Sequence, residues 1–381
     1  MVSTQSNLSS NGSSARGGGL VFSTIDHSVS PLQAWFRDGL VAELERQGFE
    51  YRPGQIDESG LVLNFTDFNA PQSFRRKSQG TFGIAIVELP ERPDDWVRAC
   101  YPILVRSLSQ VGIFLSEVDG EIEAHFMTME QGHYHVTRPA GGDDAPFFAE
   151  IHDRIHPLVT ARYVINNIFN PDLPRELWDG DEITDQLIEA GRKLDALNLL
   201  PAPWPIDEIL SERELRHVKA LFHIGGLSYG NLSARRDANT FWMSASGVNK
   251  GKLKQIGRDI LLVTGYDPEQ HAMVLSVPEG IEPRRVSVDA IEHYMIYQEH
   301  PEVGAIIHVH AWMDGIKSTH INYPCGTREL ALAVADLIRQ EPDPSRAVVG
   351  LKNHGVTITG HSLPELFERI EGKLISRVPM S

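Results

Sequence analysis

Three prolines in five positions, Pro201-Ala202-Pro203-Trp204-Pro205, constrain this chain more than any other feature. Proline lacks an N–H and fixes φ, so the stretch cannot continue a helix or a central strand and reads as a semi-rigid extended linker. It falls near the middle of 381 residues, a length that at ~150 residues per domain suggests about two units. Residues 1–19 are rich in Ser, Asn and Gly and end in Gly17-Gly18-Gly19. Such a segment buries too little to offset ordering entropy, so a flexible tail is expected there. The organisation that follows is a tail over 1–19, an accessory mixed α/β unit over 20–200, a linker over 201–205, and a second unit over 206–381. Ser211-Glu212-Arg213-Glu214 has the capping-box pattern of a new helix start.

In the first unit the spacing predicts helices over 32–47, 94–108, 147–169 and 181–197. Val, Ile and Phe-rich runs predict strands over 61–65, 82–89 and 112–117, with a hairpin over 123–136 turning near Gln131-Gly132. In the second unit, a turn into a strand is expected over 227–235, and strands over 240–244, 258–263, 271–276, 303–310, 347–352 and 356–359. Helices are expected over 214–224, 287–299 with Ser287 as N-cap, 327–340 and 363–370. Many strands separated by few helices predict a central, mostly antiparallel sheet with helices on both sides, an α/β/α arrangement preceded by a separate mixed α/β (α+β) domain.

Charge limits the partners. The formal net charge is −16, which argues against nucleic acid and against an anionic membrane surface. The imbalance is uneven: residues 1–200 carry net −13 and residues 201–381 net −3. The second half is therefore the better host for an anionic substrate. Cys100 and Cys325 are the only cysteines, which excludes a disulfide framework and fits a reducing, cytoplasmic setting. No apolar run approaches the ~20 residues of a transmembrane helix, and the N-terminus lacks the basic and apolar regions of a signal peptide.

The sharpest chemical signal is Gly304-Ala305-Ile306-Ile307-His308-Val309-His310. In a strand, positions two apart share a face, so His308 and His310 project together from apolar surroundings, a pairing that suits a borderline metal ion. Taken alone, a His-x-His on a half-buried face is more often two ordinary polar residues. His354, in Lys352-Asn353-His354-Gly355, offers a third imidazole from a turn that Gly355 can tighten at positive φ. Three histidines with an open fourth position are the pattern of a catalytic metal site. Asp289 lies nineteen residues before His308, near a helix start. It reads either as a carboxylate complementing the helix dipole or as a base beside the metal. Glu292 follows one turn on, and His293 either orients the site or is an interior histidine. Of the remaining candidates, His133 and His135 read as hairpin-surface residues, and Lys250, Lys252 and Lys254 as a solvated face, with attraction of an anion as the alternative.

These segments together resemble the class II aldolase/adducin family over about residues 206–372. The resemblance rests on six segments in the family's order. They are Gly226-Leu227-Ser228-Tyr229-Gly230-Asn231-Leu232-Ser233-Ala234-Arg235, Ser244-Ala245-Ser246-Gly247, Ser287-Val288-Asp289 with His293, His308-Val309-His310, Gly326-Thr327-Arg328-Glu329-Leu330 and Asn353-His354-Gly355. The resemblance implies that His308, His310 and His354 bind a divalent metal. Zinc is the expected ion, with Fe2+ or Mn2+ as alternatives. It also implies that Gly230, Asn231, Ser246, Gly247 and Ser287 cradle a substrate phosphate, and that Asp289 is the acidic residue of the site with Glu292 in reserve. Aldolase members carry Glu at the Asp289 position as acid/base, whereas an epimerase branch carries Asp as a metal ligand. Two departures weaken the phosphate site: Val288 replaces a second serine and Ala245 replaces a proline. The stretch from His310 to His354, 44 residues, is shorter than in typical aldolase members, and His320 and Tyr323 lie within it.

The function the resemblance implies is a divalent-metal-dependent aldolase, lyase or epimerase. It would act on a sugar-phosphate-like or hydroxy-carbonyl substrate through a metal-stabilised enediolate. The alternatives are a non-catalytic adducin-like scaffold and an iron-dependent oxygenase on the same fold. Homo-oligomers, commonly tetramers, are implied by the resemblance alone, and the partner is a small molecule rather than nucleic acid or membrane.

Overall fold

The computed structural model describes residues 20–27, 29–74, 81–129, 132–197, 199, 206–216 and 230–381. The expected tail, the proline linker, the Gln131 side of the hairpin turn, most of the 214–224 helix and the 226–229 part of the glycine-rich segment lie outside these residues. Two sheets organise the rest. The first contains β1 (Val21–Asp26), β2 (Glu50–Tyr51), β3 (Leu61–Phe65), β4 (Phe82–Glu88), β5 (Val111–Val118), β6 (Glu121–Thr128) and β7 (His133–Arg138), in the order β2-β1-β3-β4-β5-β6-β7. Pairing is parallel from β2 through β5 and antiparallel from β5 to β7. In β5, Val111, Ile113 and Leu115 face one core, while Phe114 faces the other. Helices α1 (Pro31–Arg46) and α3 (Asp144–Thr160) cover the first of these faces, and α2 (Trp96–Arg106) covers the second. The mixed α/β expectation for this region holds.

The α2 face brings a buried His125 together with His133 and His135, the pair that the sequence pattern places on the surface. His125 is 2% exposed and lies stacked on Trp96, ring centroids 3.4 Å apart. Its Nε2 is 3.0 Å from Glu123 and its Nδ1 is 3.0 Å from His133 Nε2. With Nε2–H donated to the carboxylate, Nδ1 is left to accept from His133. His135 is exposed and stacks on the outer side of His125. His133 is thus a partner of a buried ring rather than a free surface residue.

The second sheet has the order β14-β15-β13-β9-β10-β11-β12-β8. Its strands are β8 (Asn166–Asn170), β9 (Gly230–Arg235), β10 (Phe241–Ser244), β11 (Ile260–Asp267), β12 (Ala272–Ser276), β13 (Ala305–Val309), β14 (Val348–Leu351) and β15 (Gly355–Gly360). Every pairing is antiparallel except β12 with β8. In β13, Ala305, Ile307 and Val309 pack with α4 (Glu182–Ala196) and α8 (Leu363–Ile370) on one face. Ile306 packs with α6 (Ala290–Glu299) and α7 (Arg328–Arg339) on the other. The expected α/β/α layering with a mostly antiparallel sheet is found in the second sheet and the helices on its two faces.

The sheets do not divide at the prolines. The helix expected over 147–169 ends at Thr160, and 166–170 is β8, paired in parallel with β12. Helical spacing continues through the sequence, but the open edge of β12 offers Asn166–Asn170 a full ladder of backbone bonds, and tertiary pairing overrides the local pattern. Helix α4 also precedes the prolines, yet its Leu187, Ala190 and Leu194 pack beneath Trp242 and Leu262 of the second sheet. Its N-cap, Asp181, accepts from Ile183 and Thr184 N–H groups and also from Trp242 Nε1 at 2.9 Å. The chain then crosses back. The short helix α5 (Ile206–Ile209) and the residues after it pack on α2, with Leu210 buried in that core. Ser211 and Glu214 form the expected capping pair, and Glu214 also takes an ion pair from Arg106 of α2.

A fragment spanning 161–381 retains β8 and α4 and should unfold in one cooperative thermal transition. A 206–381 fragment exposes the apolar seat of α4 and should aggregate or melt without cooperativity. Circular dichroism on both checks this, and equal cooperativity would contradict the assignment. A second expectation concerns acid. Burial, the largest cause, lowers His125 to about 3 and His133 to about 4 from the ordinary 6.5. Below pH 6.5 the unfolded chain therefore binds protons that the folded chain does not. Stability contributed by these rings is complete above about pH 6.5 and is lost as pH falls toward their folded values. The melting temperature should drop across that window, and less steeply in His133→Asn.

Candidate metal centre

Strand register builds the site. Across three neighbouring strands, Asn231 of β9 lies opposite His308 of β13, and His308 lies opposite Thr357 of β15. All three point to the face covered by α6, since their neighbours in sequence point to the other core. His310 follows two residues beyond His308 on the same side. The third ring comes from the turn joining β14 to β15. The strained position there is Asn353 at φ 58°, a conformation that asparagine tolerates, and not Gly355 as expected. Gly355 serves another purpose: a Cβ there would lie 2.3 Å from the Val309 carbonyl oxygen. Only glycine lets β15 close on the end of β13 and carry His354 to the other two histidines.

The three imidazoles meet. Ring centroids are 5.3 Å apart for His308–His310, 4.9 Å for His308–His354 and 4.9 Å for His310–His354. One nitrogen from each lies within 4.8 Å of the others. His308 is buried, and His310 and His354 are half-buried. His308 Nε2, His310 Nδ1 and His354 Nε2 are buried without a hydrogen-bond partner. Buried polar atoms are almost always satisfied, so three orphaned imidazole nitrogens in one cluster fit a cation held between them. Burial first, and then the neighbouring imidazoles, hold His308 and His310 well below the ordinary histidine range. Neutral imidazoles are the ligating form.

Asp289 is 4% exposed and lies at the N-cap position of α6 without capping it. The helix begins at Ala290, three residues later than expected, and Ser287 donates no side-chain cap to it. The carboxylate is committed elsewhere. Asn231 Nδ2 donates to Oδ2 at 2.6 Å, and Cys325 Sγ donates to Oδ1 at 2.6 Å. A cap is worth ~1 kcal/mol, and the helix forgoes that side-chain bond while Asp289 faces the sheet. Cys325 is a site residue that the sequence pattern does not single out. Its position directly before Gly326-Thr327-Arg328-Glu329-Leu330 is the available signal.

Glu292 is buried behind the cluster. Thr357 donates to Glu292 Oε1, and Thr357 Oγ1 lies 3.4 Å from His308 Nδ1. A hydroxyl whose proton goes to Glu292 can accept from His308 Nδ1–H, which leaves His308 Nε2 bare and aimed at its partners. Burial, and secondarily Asp289, push the Glu292 carboxyl well above the ordinary range. His293 is fully buried, with Nδ1 2.7 Å from Ser233 Oγ, which in turn meets Tyr297 OH at 2.9 Å. It lies beneath the site as an interior ring.

The phosphate candidates separate into two places. Gly230 and Asn231 begin β9 beside the histidines, where a Cβ on Gly230 would lie 2.1 Å from the His308 carbonyl oxygen. Ser246 and Gly247 are exposed in the loop after β10, and Ser287 is buried next to them. The two segments are joined by an Ala245–Val286 bridge and by Ser246 N–H to the Arg285 carbonyl at 2.9 Å. His320 is exposed, and Tyr323 packs against the α6 core. The solvated reading of Lys250 is wrong: the residue is 2% exposed, the Asp289 charge acts on it, and its own charge acts on His310.

Residues 218–316 match the sequence profile described as the class II aldolase and adducin N-terminal domain. That span includes Asp289, His308 and His310 and ends before His354. A methylthioribulose-1-phosphate dehydratase of Leptospira biflexa is 27% identical over 139 residues, 35% of this chain and 62% of that protein's own length. A methylthioribulose-1-phosphate dehydratase of Methylococcus capsulatus is 23% identical over 196 residues, 50% of this chain and 72% of that protein. Among solved structures, YgbL of Klebsiella pneumoniae aligns at 19% identity and TM-score 0.33, covering 50% of this chain and 84% of its own. L-fuculose-1-phosphate aldolase of Thermus thermophilus aligns at 19% and 0.32, covering 49% and 86%. By its sequence match, the region 218–316 of this chain is similar to the class II aldolase/adducin family.

Proposed function

We propose that the C-terminal unit is a divalent-metal-dependent lyase acting on a phosphorylated sugar-like or related hydroxy-carbonyl compound. The observation that carries this reading is the cluster of three imidazoles with orphaned nitrogens, reached from β13 and the turn before β15. His308, His310 and His354 would hold the cation, with zinc as the expected ion. When bound, the cation supplies Lewis-acid polarisation of a carbonyl, worth several kcal/mol to a developing negative charge.

The chain's own residues supply the rest. Asp289, held by Asn231 and Cys325, keeps a carboxylate oriented by two donors, in the position to take or return a proton. Thr357 and Glu292 fix the tautomer of His308. Asn231, Ser246, Gly247 and Ser287 would receive the anionic end of the substrate. Val288 and Ala245 leave that subsite with fewer hydroxyl and backbone constraints than the family pattern. The relatives named for methylthioribulose-1-phosphate dehydration make that sugar phosphate the first compound to try, followed by hydroxy-ketones with and without phosphate.

Three outcomes are expected. His308→Ala and His354→Ala should each lose bound metal by elemental analysis, and full occupancy in both would end this reading. Asp289→Asn should keep its metal and lose on the order of 10²–10⁴-fold in turnover. Loss of metal instead would place Asp289 in the metal shell. Thr357→Val should weaken metal affinity about 10–100-fold in a chelator competition while the fold is retained.

A further inference from the structure

Of the three alternate lysines after the Ser246-Gly247 loop, Lys252 and Lys254 are exposed, whereas Lys250 is 2% exposed. Lys250 starts a single 3-10 turn, Lys250–Lys252. The turn lies directly against α4: a Cβ on Gly191 would be 2.3 Å from the Lys250 carbonyl oxygen. Helix α4 therefore pins the backbone of the turn, and the side chain runs inward from a fixed root. Its Nζ donates to the Val248 carbonyl at 3.2 Å, and among the described residues no carboxylate stands within ion-pair distance of it. An ammonium has three donors, so two remain unspent. Burying a cation this way is costly unless something compensates for it. Its charge partners are at the site: Asp289 acts on Lys250, and Lys250 acts on His310. Burial outweighs Asp289 and lowers the amine to about 8, which still leaves it mostly cationic at neutral pH.

Lys250 thus combines a buried positive charge, unspent donors and a rigid root at the end of the loop where an anion is expected. Val288, two residues past the Ala245–Val286 bridge, has no hydroxyl to offer. Resting on the reading of the site as a lyase centre, we propose that Lys250 is the oxyanion anchor of this site: its ammonium binds the phosphate or carboxylate oxygens of an anionic substrate beside the metal position. This makes Lys250 a substrate-binding, specificity-determining residue, and it names the substrate class as anionic. A neutral hydroxy-ketone would leave the buried cation uncompensated and bind poorly.

The test uses the full chain loaded with zinc, its zinc content measured first, and titration calorimetry with inorganic phosphate and with glycolate as probes. The wild-type protein is expected to bind at least one probe. Lys250→Met should weaken that binding tenfold or more, with zinc content unchanged and melting temperature unchanged or raised, and Lys250→Arg should restore most of the affinity. Preference for phosphate would identify a phosphorylated substrate, and preference for glycolate a carboxylate. Repeating the titration without zinc separates contact with the ammonium from contact with the metal, and the Lys250→Met deficit should persist. Equal binding by wild type and Lys250→Met, or no binding of either probe by the zinc-loaded wild type, overturns the proposal. If Lys250→Met fails to fold, Lys250→Gln replaces it and is read in the same way. Loss of zinc-site identity is read separately from the histidine variants, so failure of the anchor and failure of the lyase reading remain distinct.

Discussion

Everything in the candidate site depends on one register: His308 of β13 held between Asn231 of β9 and Thr357 of β15. Side chains alternate between faces of a strand, so a slip of one residue would send His308 into the α4 core and bring Ile307 or Val309 to the site. Apolar burial on both faces prevents the slip. Ala305, Ile307 and Val309 fill one side and Ile306 the other. His308 and His310 are thus positioned by the hydrophobic alternation of their own strand, and the turn carrying His354 is positioned by the close approach of Gly355 to Val309.

The same register gathers a set of polar groups in a region otherwise apolar. Asn231, Ser233, Glu292, His293, Tyr297 and Thr357 are all buried under or beside the histidines. Such groups cost stability unless each finds a partner. Here they bond to one another: Ser233 with His293 and Tyr297, Thr357 with Glu292, Asn231 with Asp289. The atoms left over cluster at the histidines and at the far oxygens and nitrogens of Asn231, Glu292 and His293. That concentration of unsatisfied polarity is what separates a site from a core.

The two sheets are also tied more closely than a linker would suggest. Strand β8 and helix α4 leave the first half of the chain to complete the second sheet, and residues 206–216 return to α2. Arg162 binds Glu329 at the start of α7, and Asn167 accepts from Val286 N–H, one residue from Ser287. Chain from before the prolines therefore braces the loop opposite the Ser246-Gly247 segment. The acidic half is not simply an appendage, since part of it supports the site.

By itself the sequence singled out the residues of the candidate site: His308 and His310 two apart in an apolar strand, His354 in an Asn-His-Gly turn, and Asp289 nineteen residues upstream of His308. Strand alternation is local, so the shared face of His308 and His310 was legible without coordinates. The run of strands separated by few helices likewise pointed to a mostly antiparallel sheet between helices. Tertiary structure alone decided what depends on contacts distant in sequence. Asn166–Asn170 became a strand because β12 had an open edge. Lys250 became buried because α4 lies against its turn, although its own neighbours look solvated. His125 joined His133 and His135 only through the β6–β7 pairing. Cys325 reached Asp289 only once α6 and the loop before α7 were packed on the same face. Periodicity reports which way a side chain points relative to its own element, and it carries no information about which element will be waiting there.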